Sequence, residues 1–297
     1  MKFSIVKNRK IWYGLSSIMI VGSIVAMVAF GFNFGIDFTG GSIMEIQTPA
    51  GLSTADVSAV FASAGYEHAV VQPSGNQEMI VRLESLDETA HQTVLAALKT
   101  KDAGLQELKF DSFGPAIGSE LRKKTITGIV VVLILICLYI AFAFRKVSEP
   151  IASWKYGVLT ILAGLHDVIV PMGLFAILGH YLGWQVDTAF VAAALTILGY
   201  SINDTIVVFD RTRENLTRQV GNENFEETVD KSIKQTITRS MYTTLTTMLA
   251  LAGIFIFGGD TTRPFSLALL VGIGIGAYSS VFIASPLLVT WEWLKKK

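Results

Sequence analysis

Gly199-Tyr200-Ser201-Ile202-Asn203-Asp204-Thr205-Ile206-Val207-Val208-Phe209-Asp210-Arg211 places a carboxylate inside an otherwise apolar run. On a helix, Tyr200 and Ser201 lie one turn before Asp204, and Val207 and Val208 one turn after it. Tyr200, Ser201, Asn203 and Asp204 are therefore expected to form one polar patch on an apolar rod. A charged side chain near the middle of a bilayer costs ~2.5–3.5 kcal/mol on insertion scales, so it must face protein or water and find a partner. A carboxylate so placed is a candidate functional site by default. The nearest candidate partner lies in Lys231-Ser232-Ile233-Lys234-Gln235-Thr236-Ile237-Thr238-Arg239-Ser240, which leads into the next apolar run. Arg239 sits about a turn inside that run, as Asp204 sits about a turn before the end of its own. Adjacent antiparallel helices would bring the two to similar depth. At this point two readings stay open, an ion pair that fixes helix register and a charge that changes during function.

With 51% hydrophobic and 16% charged residues and a mean hydropathy of +0.51, the chain is too apolar for an ordinary soluble enzyme and is expected to be an integral membrane protein. No basic stripe with interleaved aromatics suggests nucleic-acid binding. Cys137 is the single cysteine, which excludes an intrachain disulfide and a thiolate metal cluster. Apolar runs cover Ile11 to about Phe32, Thr125 to Phe144, Tyr156 to about Gly179, Val186 to Phe209, Ile237 to Phe257 and Phe265 to Trp293, each long enough to cross ~30 Å of hydrocarbon. The first follows Lys2, Lys7, Arg9 and Lys10, is too long for a signal-peptide core and lacks a small-x-small cleavage site after it, so a retained anchor is expected. Cations concentrate at the N-terminus, the Arg145-Lys146 to Lys155 loop, the Arg211 to Lys234 loop and the Lys295-Lys296-Lys297 tail. That alternation predicts both termini in the cytoplasm; Arg122-Lys123-Lys124 is the exception, at the foot of a long translocated domain that is largely exempt from the rule.

The expected organisation is residues 1–32 as N-terminus and first span, 33–124 as an extracytoplasmic α+β domain, and 125–297 as five further spans with cytoplasmic loops. In the soluble segment Ser42 to Gln47 alternates like a strand, and Ser53-Thr54-Ala55-Asp56 resembles a capping box opening a helix to about Ala64. His68 to Gln72 and Met79 to Leu83 flank a Pro73-Ser74-Gly75-Asn76 turn. Leu86 to Lys99 reads as a second helix and Leu105 to Phe113 as a last strand. The order β-α-β-β-α-β is ferredoxin-like. His68 and His91 stand apart without metal-ligand spacing, and no catalytic residue, metal or cofactor is expected.

Further along, His166 and Asp167 lie near mid-depth in the third run, four residues before Pro171, and are open to either a polar-path or a structural role. Thr236, Ser240, Thr243 and Thr247 recur at about helical spacing, where hydroxyls commonly bond across helices. Gly35, Gly40 and Gly41 with Asp37 read as a hinge between bundle and domain; the lysine of a phosphate loop is absent. Gly272 and Gly276 form a small-xxx-small packing surface. Phe225 to Thr236 is expected as a short amphipathic helix at the cytoplasmic face.

Taken together, these residues resemble the SecF family, membrane subunits of the bacterial Sec protein-export machinery within the resistance-nodulation-division superfamily. The resemblance rests on Gly35-Ile36-Asp37-Phe38-Thr39-Gly40-Gly41, Gly114-Pro115 with Gly118-Ser119-Glu120-Leu121, His166-Asp167-Val168, the Gly199 to Asn215 block, Thr236-Ile237-Thr238-Arg239 with Thr243-Thr244, and Ala284-Ser285-Pro286-Leu287. It covers essentially the whole chain. Thr212 departs from the family pattern, where an apolar residue is more usual. The resemblance implies a SecD partner with an equivalent six-helix bundle, a link to the SecYEG channel with room for a YidC-type insertase, and a translocating unfolded preprotein as client, all at the cytoplasmic (inner) membrane in contact with its lipid. It also implies use of the proton gradient, with Asp204 and Arg239 at the family's proton-pathway positions. A change in their pairing would change the affinity of Asp204 for a proton, linking movement to protonation. Two alternatives remain, a proton-coupled small-molecule or lipid exporter of the same superfamily and a non-conducting assembly subunit.

Overall fold

The computed structural model describes residues 4–49, 51–74, 77–145, 152–218, 224–259 and 261–295. In chain order the elements are α1 (Arg9–Phe30), α2 (Ile36–Thr39), β1 (Gly41–Gln47), α3 (Thr54–Ser63), β2 (Val70–Pro73), β3 (Glu78–Leu83), α4 (Glu88–Lys101), β4 (Gln106–Phe113), α5 (Pro115–Ala143), α6 (Ser153–Leu182), α7 (Thr188–Thr217), α8 (Phe225–Phe257), α9 (Arg263–Ser279), a π-helical turn (Ser280–Ala284) and α10 (Ser285–Lys295). They fall into two compact units, one of Met1–Asn33 with Gly128–Lys297 and one of Phe34–Thr127. Six helical segments are long and apolar enough to cross a membrane, the sixth running through α9, the π turn and α10.

The smaller unit has the ferredoxin-like order. Its sheet runs β2-β3-β1-β4 with every neighbouring pair antiparallel, Met44 facing Val81 on one side and Phe110 on the other. Alternation along β1 and β3 points Met44, Ile46, Met79, Val81 and Leu83 to one face, where they pack with Val57 and Phe61 of α3 and Leu95 and Leu98 of α4. Residue Ser53 opens α3 with a reciprocal capping box. Its hydroxyl, then its backbone amide, hold the Asp56 carboxyl below the usual carboxylate range. The expected turn at Pro73-Ser74-Gly75-Asn76 includes Gly75 and Asn76, which lie outside the described residues.

In the larger unit the helices extend past the apolar runs, for local reasons. Helix α7 continues through Asp210–Arg213 and Arg211–Glu214 pairs at i,i+3 spacing. Thr212, expected in a loop, is instead fully buried on α7 and donates to the Val208 carbonyl. The short amphipathic helix expected over Phe225 to Thr236 is not separate. It is the first third of α8, which starts at an Asn224–Glu227 capping box and meets no glycine before Gly253 and no proline. In the sixth segment Pro286 has no N–H for the Phe282 carbonyl and its ring would crowd it. The preceding turn widens to π geometry, and the Ser285 hydroxyl satisfies the Ser280 carbonyl at 2.8 Å.

Two contacts fix α1 and the residues before it against the other helices. A Cβ placed on Gly173 of α6 would lie 2.4 Å from the Ser23 Cα of α1, so the two backbones touch there. At the end of the unit that carries both chain termini, Asp230 of α8 accepts from Ser4 Oγ (3.0 Å), Ile5 N (2.8 Å) and Val6 N (3.3 Å), and receives Lys234 Nζ at 2.5 Å. Arg9 and Glu226 add a 3.4 Å ion pair.

Gly173→Ala is expected to destabilise the bundle by ~2 kcal/mol or more, because the obstructing atom is backbone and cannot step aside. Asp230→Ala should cost ~1–3 kcal/mol by leaving buried amides unpaired. Thermal unfolding of purified protein in detergent checks both; a midpoint equal to wild type for either variant contradicts the contact described.

Candidate functional site

Helix α7 lies between α6, α8 and α9, so its polar residues must meet partners on three sides or none. Asp204 is 7% exposed and faces α8, where the Ser240 hydroxyl donates to its Oδ1. The direct pair with Arg239 expected from sequence is not formed. Arg239 is exposed, and among the described residues no ion pair joins it to Asp204, although its charge acts on the carboxyl through space. The reason is helical: Arg239 and Ser240 are 100° apart around α8, and only one can point at α7. The shorter, neutral donor occupies the interface. Asp204 Oδ2 is buried and has no hydrogen-bond partner among the described residues.

The expected patch around Asp204 divides. Ser201 is buried and donates to Asp167 Oδ2, whereas Asn203 is exposed on another face. Tyr200 is half-buried, its hydroxyl 3.3 Å from Thr247 Oγ1 on α8. A strict i,i+3/i,i+4 face centred on Asp204 leaves out Asn203 at i−1, whereas Ser201 at i−3 is taken by the nearby Asp167 of α6.

Around Asp167 the structure assembles a second, fully hydrogen-bonded cluster. Its Oδ2 accepts from Ser201 and from Ser279 (2.6 Å), and its Oδ1 lies 2.9 Å from His166 Nδ1. His166 Nε2 in turn meets Ser16 Oγ of α1 at 3.1 Å; Ser16 bonds to Tyr278, whose hydroxyl donates to the Trp12 carbonyl at 3.0 Å. One carboxylate thus ties α1, α6, α7 and α9 together. Thr205 and Ser280 add a 2.9 Å contact between α7 and the π turn. Ser16, Tyr278, Ser279 and Ser280 were not singled out in the sequence, although adjacent serines inside an apolar run were a visible signal.

Gly272 and Gly276 place α9 directly on α7: an added Cβ would fall 2.2 Å from Ile197 Cδ1 and 3.0 Å from Ser201 Cβ respectively. In the smaller unit the glycine stretch is packed rather than free. Gly35 has φ −67° and needs no special freedom, Ile36–Thr39 forms a helical turn containing half-buried Asp37, and only Gly40 (φ 77°) and Gly41 (φ 134°) are left-handed. A side chain on Gly40 would meet Pro115 Cα at 2.8 Å, and one on Gly41 the Leu83 carbonyl at 2.8 Å. At Gly40 and Gly41 the missing side chain thus permits close backbone approach within the smaller unit.

Six apolar segments, a packed α+β unit and carboxylates held inside the bundle define a multi-pass membrane protein of the transport type. Comparison with known proteins narrows the class. The family model "Protein export membrane protein SecD/SecF, C-terminal" matches residues 93–294, and the "SecD/SecF GG Motif" matches residues 25–48, which contain Gly40-Gly41. The protein translocase subunit SecF of Thermobaculum terrenum is 43% identical over 97% of this chain and 93% of its own length, and that of Sebaldella termitidis 38% over 100% and 94%. The crystal structure of SecDF from Thermus thermophilus superposes with a TM-score of 0.84 at 32% identity, covering 100% of this chain and 39% of that longer one. The chain belongs to the SecF family of protein translocase subunits and has its role in protein translocation.

Asp167→Ala removes the acceptor for three side chains and is expected to destabilise the bundle by ~3 kcal/mol, against ~1 kcal/mol for Ser279→Ala, which leaves two donors in place. Chemical unfolding of the purified protein distinguishes them; equal losses contradict the shared-acceptor geometry.

Proposed function

We propose that this subunit, together with a SecD partner, couples the proton gradient to preprotein movement through SecYEG, and that Asp204 is the group that takes up and releases the proton. The observation that carries the reading is the half-satisfied state of Asp204: one oxygen is held by Ser240, and the other is buried without a partner among the described residues. Asp167, with both oxygens engaged, is the anchor against which Asp204 works. A carboxyl with an open oxygen can change its hydrogen bonding as its charge changes, whereas one with both oxygens engaged has no free acceptor to rearrange. Arg239, exposed beside Ser240, supplies a counter-charge that already acts on Asp204 through space and that a rotation of α8 would bring closer. One charge crossing the membrane potential yields ~2.3 kcal/mol per 100 mV, enough to bias a two-state bundle but modest per proton, so several cycles per client are expected.

The Thermus thermophilus relative is named SecDF and titled a translocon-associated membrane protein, which supports SecD and the channel as partners here. Loop charge supports both termini in the cytoplasm, with the α+β unit outside.

In inverted membrane vesicles Asp204→Asn is expected to leave complex assembly and ATP-driven translocation intact and to abolish the increment produced by the proton gradient. An unchanged gradient response favours the assembly-subunit reading instead.

A further inference from the structure

Cross-links at three levels set the register of α7 on α8: Asn215 Nδ2 to Ser232 Oγ (2.8 Å) and Gln235 Oε1 (2.9 Å), Ser240 Oγ to Asp204 Oδ1, and Tyr200 with Thr247 (3.3 Å). Thr244 lies between the second and third of these, one turn beyond Ser240 on the same buried face of α8, and is 6% exposed. Its hydroxyl behaves differently from its neighbours'. Thr236, Thr243, Thr246 and Thr247 each donate to a carbonyl three or four residues back, the usual way a helical threonine is satisfied inside an apolar segment. Thr244 Oγ1 does not, and among the described residues it is buried without a partner, as is Asp204 Oδ2. Two orphaned polar atoms on facing helices, within a turn of each other and nine-tenths buried, each lack what the other offers. A protonated carboxyl can donate where a threonine hydroxyl accepts, and an ionised one can accept where it donates.

We infer that Thr244 is the positioning and relay residue for Asp204 Oδ2, forming with Tyr200 and Thr247 the outward-facing half of the proton's route. This rests on Asp204 being the proton-carrying group, as proposed above. With the termini in the cytoplasm, α7 enters from the outer side, so Tyr200 and Thr247 lie outward of Asp204 and Thr244 is the step between. The proton reaches the Thr244 hydroxyl oxygen from outside as the hydroxyl's own proton passes to Asp204 Oδ2, so the threonine ends neutral and the carboxylate becomes a carboxyl. Ser240 keeps Oδ1 occupied, which directs the incoming proton to Oδ2. The charged or titratable groups around this step are Arg239 of α8, and His166 and Asp167 of α6, reached through Ser201; α9 and the π turn contribute Ser279 and Ser280.

The test uses the full translocon complex in inverted vesicles, with the gradient-dependent increment of translocation followed against the pH of the vesicle interior, which corresponds to the outer face. Thr244→Val keeps the shape and removes the hydroxyl; it should lower the increment about ten-fold or more and leave ATP-driven translocation unchanged, whereas Thr244→Ser should stay within about two-fold of wild type. Thr244→Ala, which cannot overpack the interface, should match the valine variant. Wild-type coupling in the alanine variant, or a serine variant as impaired as the valine one, overturns the inference. Asp204→Asn run in parallel separates the two levels: if it loses coupling while Thr244→Ala keeps it, only the relay is wrong. If Asp204→Asn keeps coupling, the site reading fails and the relay with it.

Discussion

A carboxylate in the interior of an apolar bundle must be hydrogen-bonded, and the helix arrangement of this protein follows from how two of its buried carboxylates, Asp167 and Asp204, meet that demand. Asp167 recruits donors from its own helix, from α7 and from α9, and through His166 reaches Ser16 on α1. Removing α7 or α9 would leave this buried carboxylate short of a donor, and removing α1 would do the same to His166. Asp204 meets the demand only in part, with Ser240 on one oxygen. The contrast between a saturated carboxylate on α6 and an unsaturated one on α7, whose helix reaches the first through Ser201 one turn from Asp204, gives the bundle a fixed point and a changeable one.

Close packing makes that network possible. Lipid tails are as apolar as leucine side chains, so helices in a membrane gain by approaching until backbones touch. Gly173 against Ser23, Gly272 against Ile197 and Gly276 against Ser201 are the places where a Cβ would hold them apart. Gly276 brings α9 close enough for Ser279, one turn later, to reach Asp167, and the π turn beyond it sets Ser280 opposite Thr205. Proline chemistry at Pro286 therefore helps to place a polar contact in the turn before it. At the far end of the same unit Asp230 fixes the residues before α1 to the start of α8, so the helix that carries Ser240 and Thr244 is joined to the one that leads toward the α+β unit.

In the glycine stretch before β1 the lack of a side chain serves close packing as well as conformational freedom. Gly35, Gly40 and Gly41 are all compatible with a flexible joint. What the chain needs at Gly40 and Gly41 is left-handed backbone and room for Pro115 and Leu83. Glycine removes a side chain in either case, and only its surroundings tell freedom from close contact.

From the sequence by itself came everything governed by local period and transfer energy. Six spans follow from apolar runs, the β-α-β-β-α-β unit from alternation and capping residues, and the importance of Asp204 from the cost of a charge in hydrocarbon. The tertiary structure alone decided which neighbour each polar residue meets. Arg239 and Ser240 are adjacent in sequence, yet a 100° step around α8 gives the buried contact to serine and leaves arginine outside. Ser201 turned to Asp167 rather than Asp204, and Asn203 faced away. Serines 16, 279 and 280, unremarkable as single residues in apolar runs, became ligands of the central network because helix rotation and distance of approach are set by packing between segments far apart in the chain.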